Sequence, residues 1–267
     1  MSVATAFFKR DLSLNLSYRT FFFLSSFGIL FNVAVTYFIS RLFGDSLVSQ
    51  LSEYGGNYFA FALIGVAFNG YLTVSLSNYA QSIRDGQVMG TLEIMLLSPT
   101  RLSSILISSS LWSYFFTTFN VAIYLLAGTL IFGFDVSQAN VLTALLVLIL
   151  SVTSFSGIGI LSAAAVLVVK KGDPVATIYG GISSLLAGVY YPVSVLPGPL
   201  AVMAKFFPLT YALDGMRLAM LKGASIMSIR TDLLVLVGFT LLLTPLSLVV
   251  FRMALKRAKK EGSLVHY

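Results

Sequence analysis

Six long apolar runs divide the chain and constrain its fold more than any other feature. They lie at about 21–40, 58–78, 105–132, 141–169, 175–195 and 233–254. A helix of roughly 20 apolar residues crosses the hydrocarbon core of a bilayer and satisfies its own backbone hydrogen bonds there. Only 10% of the residues are charged, against about 25% in a soluble domain. The sequence therefore predicts one all-α integral membrane domain, residues 1–267, with six transmembrane helices.

The first run is interpreted as a retained span, because it is too long for a signal peptide and lacks a small-residue cleavage site. Lysine and arginine concentrate in the cytoplasmic segments of membrane proteins. That rule is best met here if both termini are cytoplasmic, with residues 255–267 as a basic tail. The basic residues on the cytoplasmic side are then Lys9, Arg10, Arg19, Arg84, Arg101, Lys170, Lys171, Arg252, Lys256, Arg257, Lys259 and Lys260.

Charged residues are absent from the middle of every predicted span. A charge at mid-bilayer costs about 2.5–3.5 kcal/mol on insertion scales and normally marks an ion or proton path. A proton- or sodium-coupled transporter is therefore disfavoured, although a sodium site built from backbone carbonyls would need no such charge. The net charge of +7 is scattered between apolar runs, which indicates a membrane protein and no nucleic-acid partner.

The residue types that carry catalysis are scarce. The chain has no cysteine, and its single histidine is His266, which argues against thiol chemistry and against a metal site. A P-loop needs a Gly-Lys pair followed by Ser or Thr, and no Gly-Lys pair occurs. We therefore expect a protein that is not an enzyme and has no cofactor of its own, so that energy for any work must come from a partner.

Residues 190–232, between the last two runs, contain four of the seven prolines: Pro192, Pro197, Pro199 and Pro208. Pro199 could begin a short helix through Phe207, since proline suits the first helical turn. Pro208 would separate it from a second helix over about Leu209–Lys222. Neither piece is long enough to span a bilayer, so we predict an external re-entrant or interfacial helical hairpin. Within it, Asp214 and Arg217 at i, i+3 are interpreted as a surface ion pair in preference to a gating contact.

Small and polar residues recur at helical spacing inside several spans. The favoured interpretation is helix packing, because small residues let helices approach and hydroxyls bond across them; the alternative is a lining for a substrate route. Packing is favoured more strongly for the stripe from Thr177 to Gly188. The third span has the clearest stripe, comprising Ser109, Ser113, Thr117, Asn120 and Tyr124. The candidate pathway residues are Asn32, Thr36, Asn69, Thr73, Thr177 and Ser184.

A short amphipathic stretch, GTLEIMLLSPTR at Gly90–Arg101, lies in the cytoplasmic segment between the second and third spans. Thr91 is a plausible N-cap, Glu93 suits the positive end of a helix dipole, and Pro99 ends the helix. The polar residues Arg84–Gln87 are expected to form a flexible approach to it. The apolar side consists of Leu92, Met95 and Leu96. Such a helix could lie on lipid headgroups or dock in a groove of a soluble partner, and the residues favour neither.

Two motifs resemble the ABC-2-type transporter permeases. RDGQVMGTLEIMLLSPTR, residues 84–101, is similar to the cytoplasmic loop of that family, with its recurring G-T-L-E-x-L-x-x-[ST]-P pattern. YYPVSVLPGPL and FPLTYALDGMRLAML, residues 190–200 and 207–221, resemble its external proline-rich turn and P-x-T-Y-x-x-[DE]-x-x-R element. With the spans and the termini, the likeness covers nearly the whole chain. Within the family, the chain most resembles the drug and daunorubicin-resistance exporters.

The resemblance implies a permease that pairs with a second copy, as a homodimer in the plasma membrane of a prokaryote, each copy on a separate cytoplasmic ATPase that binds ATP and Mg²⁺. Residues 1–20 would form an interfacial segment, and 79–104 would be the coupling loop. The coupling residues would be Arg84, Asp85, Gly86, Gly90, Thr91, Leu92, Glu93, Met95, Leu96 and Pro99. The external gate would comprise Pro192, Pro197, Pro208, Tyr211, Asp214 and Arg217.

The expected function is the export of an amphipathic or apolar substrate, drug-like or lipid-like, along a dimer interface made mainly from the first, second and fifth spans. The 13 tyrosines and 22 phenylalanines suit such cargo, and they suit contact with membrane lipid equally well. A permease for polysaccharide or lipid-linked glycan is one alternative. An ATPase-independent channel, or a membrane scaffold that anchors a cytoplasmic protein, is the other.

Overall fold

The computed structural model describes residues 3–17, 19–43, 49–91, 102–169 and 172–260. Within these ranges the regular structure is helical, which confirms the predicted all-α membrane fold. The helices are α1 Val3–Ser17, α2 Arg19–Phe43, α3 Tyr58–Val88, α4 Leu102–Phe132, α5 Val141–Val169, α6 Pro174–Leu186, α7 Gly198–Ala204, α8 Pro208–Leu221 and α9 Arg230–Lys260. Single 3-10 turns occur at Ser52–Tyr54 and Val193–Val195.

The core is built around α3, which packs against α2, α4, α5, α6 and α8. Helix α5 packs in turn against α9, and α1 lies against α4. Small residues allow the closest of these approaches, as expected for helices packed in a membrane. A Cβ on Gly159 of α5 would lie 2.1 Å from the carbonyl oxygen of Ser75 on α3. The absence of a side chain at Gly159 therefore allows these two helices to approach this closely.

Four described helices are long and apolar enough to cross a membrane: α3, α4, α5 and α9. The described apolar part of α2 is Phe27–Phe43. Helix α6 has 13 residues, about 20 Å at 1.5 Å per residue, which is short of the roughly 30 Å hydrocarbon core. The predicted fifth span, 175–195, is therefore not one helix, and the count of six stays a prediction. The chain turns after Leu186, where Gly188 adopts a φ of +86°.

The hairpin has two helical pieces as expected, although the first ends at Ala204, three residues before the predicted end at Phe207. Helix α7 covers Gly198–Ala204 and α8 begins at Pro208, each with a proline in its first turn. Helix α8 ends at Leu221, one residue from the expected end. Both agree with the rule that proline suits a helix start, because its missing N–H would have no partner there.

Residues Arg84–Gln87 are helical, which corrects the expectation of a flexible approach. Helix α3 continues to Val88, about ten residues beyond the apolar run. Hydropathy marks where a helix leaves the membrane, whereas backbone propensity and capping mark where it ends. The end here is set by Gly90, whose φ of +66° is the left-handed conformation that terminates many helices and favours glycine.

Candidate functional site

The middle of α3 carries a line of polar side chains that reaches the surface. Asn69 is half-buried, and Thr73 and Ser77 are exposed. They lie at i, i+4 and i+8, on one face of the helix. We call these three residues the polar strip. The Thr73 hydroxyl donates to the Asn69 carbonyl at 3.0 Å, and the Ser77 hydroxyl donates to the Thr73 carbonyl at 2.8 Å. Asn69 and Thr73 were predicted from the sequence, and Ser77 was missed, although its spacing continues theirs.

Helix α6 lies along one side of the polar strip. The Ser184 hydroxyl donates to the Asn69 side-chain oxygen at 3.2 Å, so two predicted pathway residues meet. In the part of the chain that is described, the Asn69 amide nitrogen has no hydrogen-bond partner. Thr177, also predicted for the pathway, is exposed but donates at 2.9 Å to the carbonyl of Asp173, the residue that caps its own helix. The structure thus joins Ser184 to the polar strip, and the Thr177 hydroxyl is satisfied locally.

The predicted polar residues of α2 each donate a hydrogen bond within the protein. The Asn32 amide donates to the carbonyl of Gly28 at 3.0 Å, and the Thr36 hydroxyl donates to the carbonyl of Asn32 at 2.9 Å. Thr36 also lies 3.3 Å from the hydroxyl of Tyr124 on α4. These bonds tie α2 to α4, which favours the packing interpretation for Thr36. Asn32 remains exposed.

An open cavity of about 210 Å³ lies between α2, α3 and α4. Most of its lining is apolar, and its polar groups come from α4: Thr117, Asn120 and Tyr124. Its α3 wall includes Gly70, the neighbour of Asn69 in the chain. The cavity could hold an apolar group that bears one hydrogen-bonding atom. The outer half of the α4 stripe thus lines this cavity.

The other half of the α4 stripe packs against α3 through hydrogen bonds. The Ser113 hydroxyl donates to the Asn78 side-chain oxygen at 2.8 Å. Similar pairs join the two helices above and below it, and one of them extends to α5. They are Tyr71 with Thr118, Tyr79 with Ser110, and Tyr114 with both Ser75 and Ser156. These contacts support the packing interpretation for this part of the stripe.

A second polar centre lies near the other end of α3, where the hairpin meets it. Arg217 of α8 is only 2% exposed. Its Nε donates to the carbonyl of Phe61 at 3.2 Å, and its Nη2 donates to the carbonyl of Val189 at 3.0 Å. The guanidinium carbon also lies 3.4 Å from the centroid of the Phe61 ring, a cation–π geometry. Arg217 thus ties α8 to α3 and to the turn after α6.

Asp214 and Arg217 do not form the surface ion pair that their spacing suggested. Arg217 is buried, and the Asp214 carboxylate accepts a hydrogen bond of 2.6 Å from the hydroxyl of Tyr54. Burial, and next the Asp214 carboxylate, raises the pKa of Tyr54 well above its usual value, so the phenol stays a donor. Burial lowers the pKa of Arg217 to about 9, with Tyr54 and Asp214 opposing the shift. The guanidinium is therefore charged at neutral pH.

The Arg217 centre depends on a glycine. A Cβ on Gly65 would lie 2.0 Å from the carbonyl oxygen of Val189 and 2.6 Å from Nη2 of Arg217. Only a residue without a side chain allows α3 to approach the turn after α6 this closely. We call the set Tyr54, Phe61, Gly65, Val189, Asp214 and Arg217 the latch. Tyr54, Phe61 and Val189 were missed in the sequence. Phe61 and Val189 bind Arg217 through backbone carbonyls, which carry no residue signature, and Tyr54 is 160 residues from its partner Asp214 in the chain.

The remaining hairpin residues have local roles. Pro192 is buried, and Pro197 is exposed just before α7. Pro208 is buried in the first turn of α8. Tyr211 is half-buried and its ring lies 6.2 Å from that of Phe239 on α9. The structure therefore places Asp214 and Arg217 in the latch and the other predicted gate residues around it.

At the opposite end of α3 the structure describes part of the predicted coupling region. Asp85 is exposed and accepts a hydrogen bond from the Gln81 amide at 2.7 Å. Arg84 is half-buried and Gly86 is buried within α3, while Gly90 and Thr91 follow the end of the helix. The other predicted coupling residues lie outside the described residues: Leu92, Glu93, Met95, Leu96 and Pro99. The predicted helix over about Thr91–Ser98 therefore stays a prediction.

Most of the chain matches one known protein family. A family model described as ABC-2 type transporter matches residues 5–221. The matched range runs from within α1 to the end of α8, and thus includes the polar strip, the latch and the segment after α3. No curated protein matches the chain. Among the described residues, no group of three His, Cys, Asp or Glu side chains could hold a metal ion.

Proposed function

The chain belongs to the ABC-2 type transporter family, and we propose that it is the membrane-spanning permease subunit of an ATP-binding-cassette exporter. Its substrate is amphipathic or apolar, and two copies enclose the route in the plasma membrane of a prokaryote. A separate cytoplasmic ATPase binds ATP and Mg²⁺ and supplies the energy. Drug-like and lipid-like molecules fit this class.

The observation that carries the proposal is the polar strip on the surface of an otherwise apolar helix. A polar amide facing lipid loses its hydrogen bonds to water and gains none. The nitrogen of Asn69 has no partner in the described ranges of this chain, so the polar strip is suited to face a second copy, water or substrate. It lies between α2 and α6, whose outward faces carry large apolar side chains. These include Phe27, Phe31 and Phe38 on α2 and Ile178 and Leu185 on α6.

Helix α3 offers a mechanical link between the ATPase and the route. It runs about 35 Å from Gly65 of the latch to Val88, and the segment with the predicted coupling residues follows directly. A movement of that segment by the ATPase would therefore be transmitted along one rigid helix, past the polar strip, to the latch. The proposed result is a change in the packing of α3 against α6 and the hairpin, which lets substrate leave.

Transport by the purified protein in proteoliposomes, with and without the ATPase that co-purifies with it, tests the proposal. Export that requires both the ATPase and ATP is the expected result. Transport without any ATPase would instead identify a channel or secondary transporter, and an ATPase-binding chain that moves no cargo would identify a scaffold. Stimulation of ATP hydrolysis only by polysaccharide or lipid-linked glycan would favour the glycan exporter.

The coupling role has its own test. Leu92→Asp places a charge on the predicted docking face, and we expect it to abolish ATP-driven export while the protein still inserts in the membrane. Normal export by this variant would refute the coupling role. Since the chain has no cysteine, single cysteines report the predicted sidedness. A membrane-impermeant maleimide added to intact cells should label Lys222→Cys and should leave Glu93→Cys unlabelled.

A further inference from the structure

A second cavity of about 210 Å³ lies between α1, α3 and α4, and its lining is mainly polar. In the predicted topology it lies at the cytoplasmic face. Asn78 is at the end of the second apolar run, and Asp85 is about 10 Å further along α3. The cavity thus extends from the edge of the hydrocarbon core into the headgroup layer. Its lining includes Arg10, Asp11, Asn78, Asp85, Trp112 and Ser113.

Two hydrogen-bond donors in the cavity wall lack an acceptor. The side-chain oxygen of Asn78 accepts from Ser113 at 2.8 Å, but its buried Nδ2 has no partner. Trp112 is 9% exposed and packs edge-on against Phe8 of α1, with ring centroids 5.2 Å apart. Its indole N–H has no hydrogen bond within the described ranges. A buried donor without a partner costs about 1–3 kcal/mol, so an acceptor bound to the Asn78 amide would relieve that cost, and the indole N–H offers a second donor.

Charges of both signs surround these donors. Arg10 uses its Nε to donate to Asp11 at 2.7 Å, and its side chain is 52% exposed, so its terminal nitrogens can reach a ligand. Across the cavity, the exposed Asp85 accepts from Gln81 through Oδ1 and has a second carboxylate oxygen. A guanidinium beside unfilled donors suits a phosphate. A carboxylate on the opposite wall suits an ammonium group.

We propose that this cavity binds the zwitterionic headgroup of an aminophospholipid from the cytoplasmic leaflet. The phosphate takes the donors of Arg10, Asn78 and Trp112, and the ammonium group pairs with Asp85. The bound headgroup bridges α1 and α3 just before the segment that follows Thr91. This lipid is a structural ligand, and its binding does not depend on which substrate the protein exports.

The chain contains a single tryptophan, Trp112, so fluorescence excited at a wavelength that tyrosine does not absorb reports on the cavity alone. The full-length protein in detergent is titrated with short-chain phosphatidylethanolamine, short-chain phosphatidylglycerol, and phosphoethanolamine without acyl chains. We expect a saturable change with phosphatidylethanolamine at a half-saturating concentration about tenfold lower than with phosphatidylglycerol, because only the former has an ammonium group for Asp85. Equal half-saturation for the two lipids, or no saturation, overturns the proposal. If phosphoethanolamine binds as tightly as the lipid, the lipid is not the source of the headgroup.

Charge variants separate the two halves of the site. Asp85→Asn should raise the half-saturating concentration of phosphatidylethanolamine about tenfold and leave that of phosphatidylglycerol unchanged. Arg10→Gln should raise both. Glu53→Gln, the same change at an exposed carboxylate outside the cavity, is the matched control and should alter neither. An unchanged response of Asp85→Asn, or an equal response of Glu53→Gln, overturns the assignment. The comparison of headgroups in the unaltered protein decides the matter even if a variant does not fold.

Discussion

The latch and the polar strip both include residues of α3, and they differ in how completely their polar groups are satisfied. In the latch, Arg217 donates to two carbonyls, Asp214 accepts from Tyr54, and a Cβ on Gly65 would overlap the Val189 carbonyl oxygen. In the polar strip, the Asn69 amide nitrogen has no partner in the described chain, and a Cβ on the adjacent Gly70 would meet nothing within 4 Å. A closed, satisfied centre maintains the fold, whereas an open one is suited to contact something beyond a single chain.

This difference separates two kinds of experimental effect. Substitutions in the latch should reduce stability, because they leave buried polar groups without partners or force helices apart. Substitutions in the polar strip should leave stability nearly unchanged and alter transport. Unfolding and transport measurements on matched pairs of variants distinguish the two kinds of effect.

Gly65→Ala should have the largest effect. The added methyl group would lie 2.0 Å from a backbone oxygen, so α3 and the turn after α6 must separate. The free energy of unfolding should therefore fall by about 3 kcal/mol or more. Thermal unfolding of the purified protein in detergent measures it. The control is Gly70→Ala on the same helix, which meets nothing within 4 Å and should stabilise by up to about 1 kcal/mol through helix propensity. Equal stability of the two variants would contradict the tight packing of the latch.

Arg217→Lys should cost about 2 kcal/mol, because a lysine cannot donate to both carbonyls or stack on Phe61 in the same way. The same unfolding measurement applies. Arg230→Lys changes an exposed arginine at the start of α9 and should shift the free energy of unfolding by less than about 0.5 kcal/mol. If both arginines tolerate lysine equally, the bonds to Phe61 and Val189 do not contribute to stability.

Tyr54→Phe should lower the free energy of unfolding by about 1 kcal/mol, because it removes the hydroxyl that donates to the half-buried Asp214 carboxylate. The raised pKa of Tyr54 keeps the phenol protonated, so the difference from the unaltered protein should not change between neutral and mildly alkaline pH. Tyr190→Phe, at an exposed tyrosine, is the control and should leave the free energy of unfolding nearly unchanged. A difference that disappears on raising the pH would show that the phenol loses its proton in that range.

The sequence was sufficient for the features that depend on local rules. Apolar runs predicted α3, α4, α5 and α9, the described helices that are long and apolar enough to span a membrane. Pro199 and Pro208 predicted the two helices of the hairpin, because proline constrains its own residue and its neighbours. The family motifs at 84–101 and 190–221 were also legible, and the matching family model includes both.

Features that depend on distant residues could not be read from it. The partners of Arg217 are 156 and 28 residues away and are backbone atoms, so residue types gave no sign of them. The apolar run at 175–195 hid the turn at Gly188, because hydropathy does not register a change of chain direction. The polar residues before Val88 suggested a loop, because hydropathy marks the membrane boundary and not the helix end.

Asn69→Leu tests the role of the polar strip. The side chain makes one described hydrogen bond, to Ser184, so the free energy of unfolding should change by no more than about 1 kcal/mol. Export in the presence of the co-purified ATPase should fall about tenfold if the amide contacts substrate or a second copy. Ser184→Ala removes the same bond and leaves the amide, and it should reduce export less. A large loss of stability with unaltered export would make Asn69 a packing residue.

Thr73→Val should have the smallest effect on stability, within about 0.5 kcal/mol, since its exposed hydroxyl bonds only to the carbonyl of Asn69 in its own helix. If the polar strip lines the route, export should still fall, by about twofold to fivefold, the worth of one weak hydrogen bond to a passing polar group. Thr129→Val on α4 removes a hydroxyl with the same kind of local bond, to Leu125, away from the polar strip. Equal export by these two variants would exclude Thr73 from the functional part of the polar strip, because its exposed hydroxyl would then make no difference to transport.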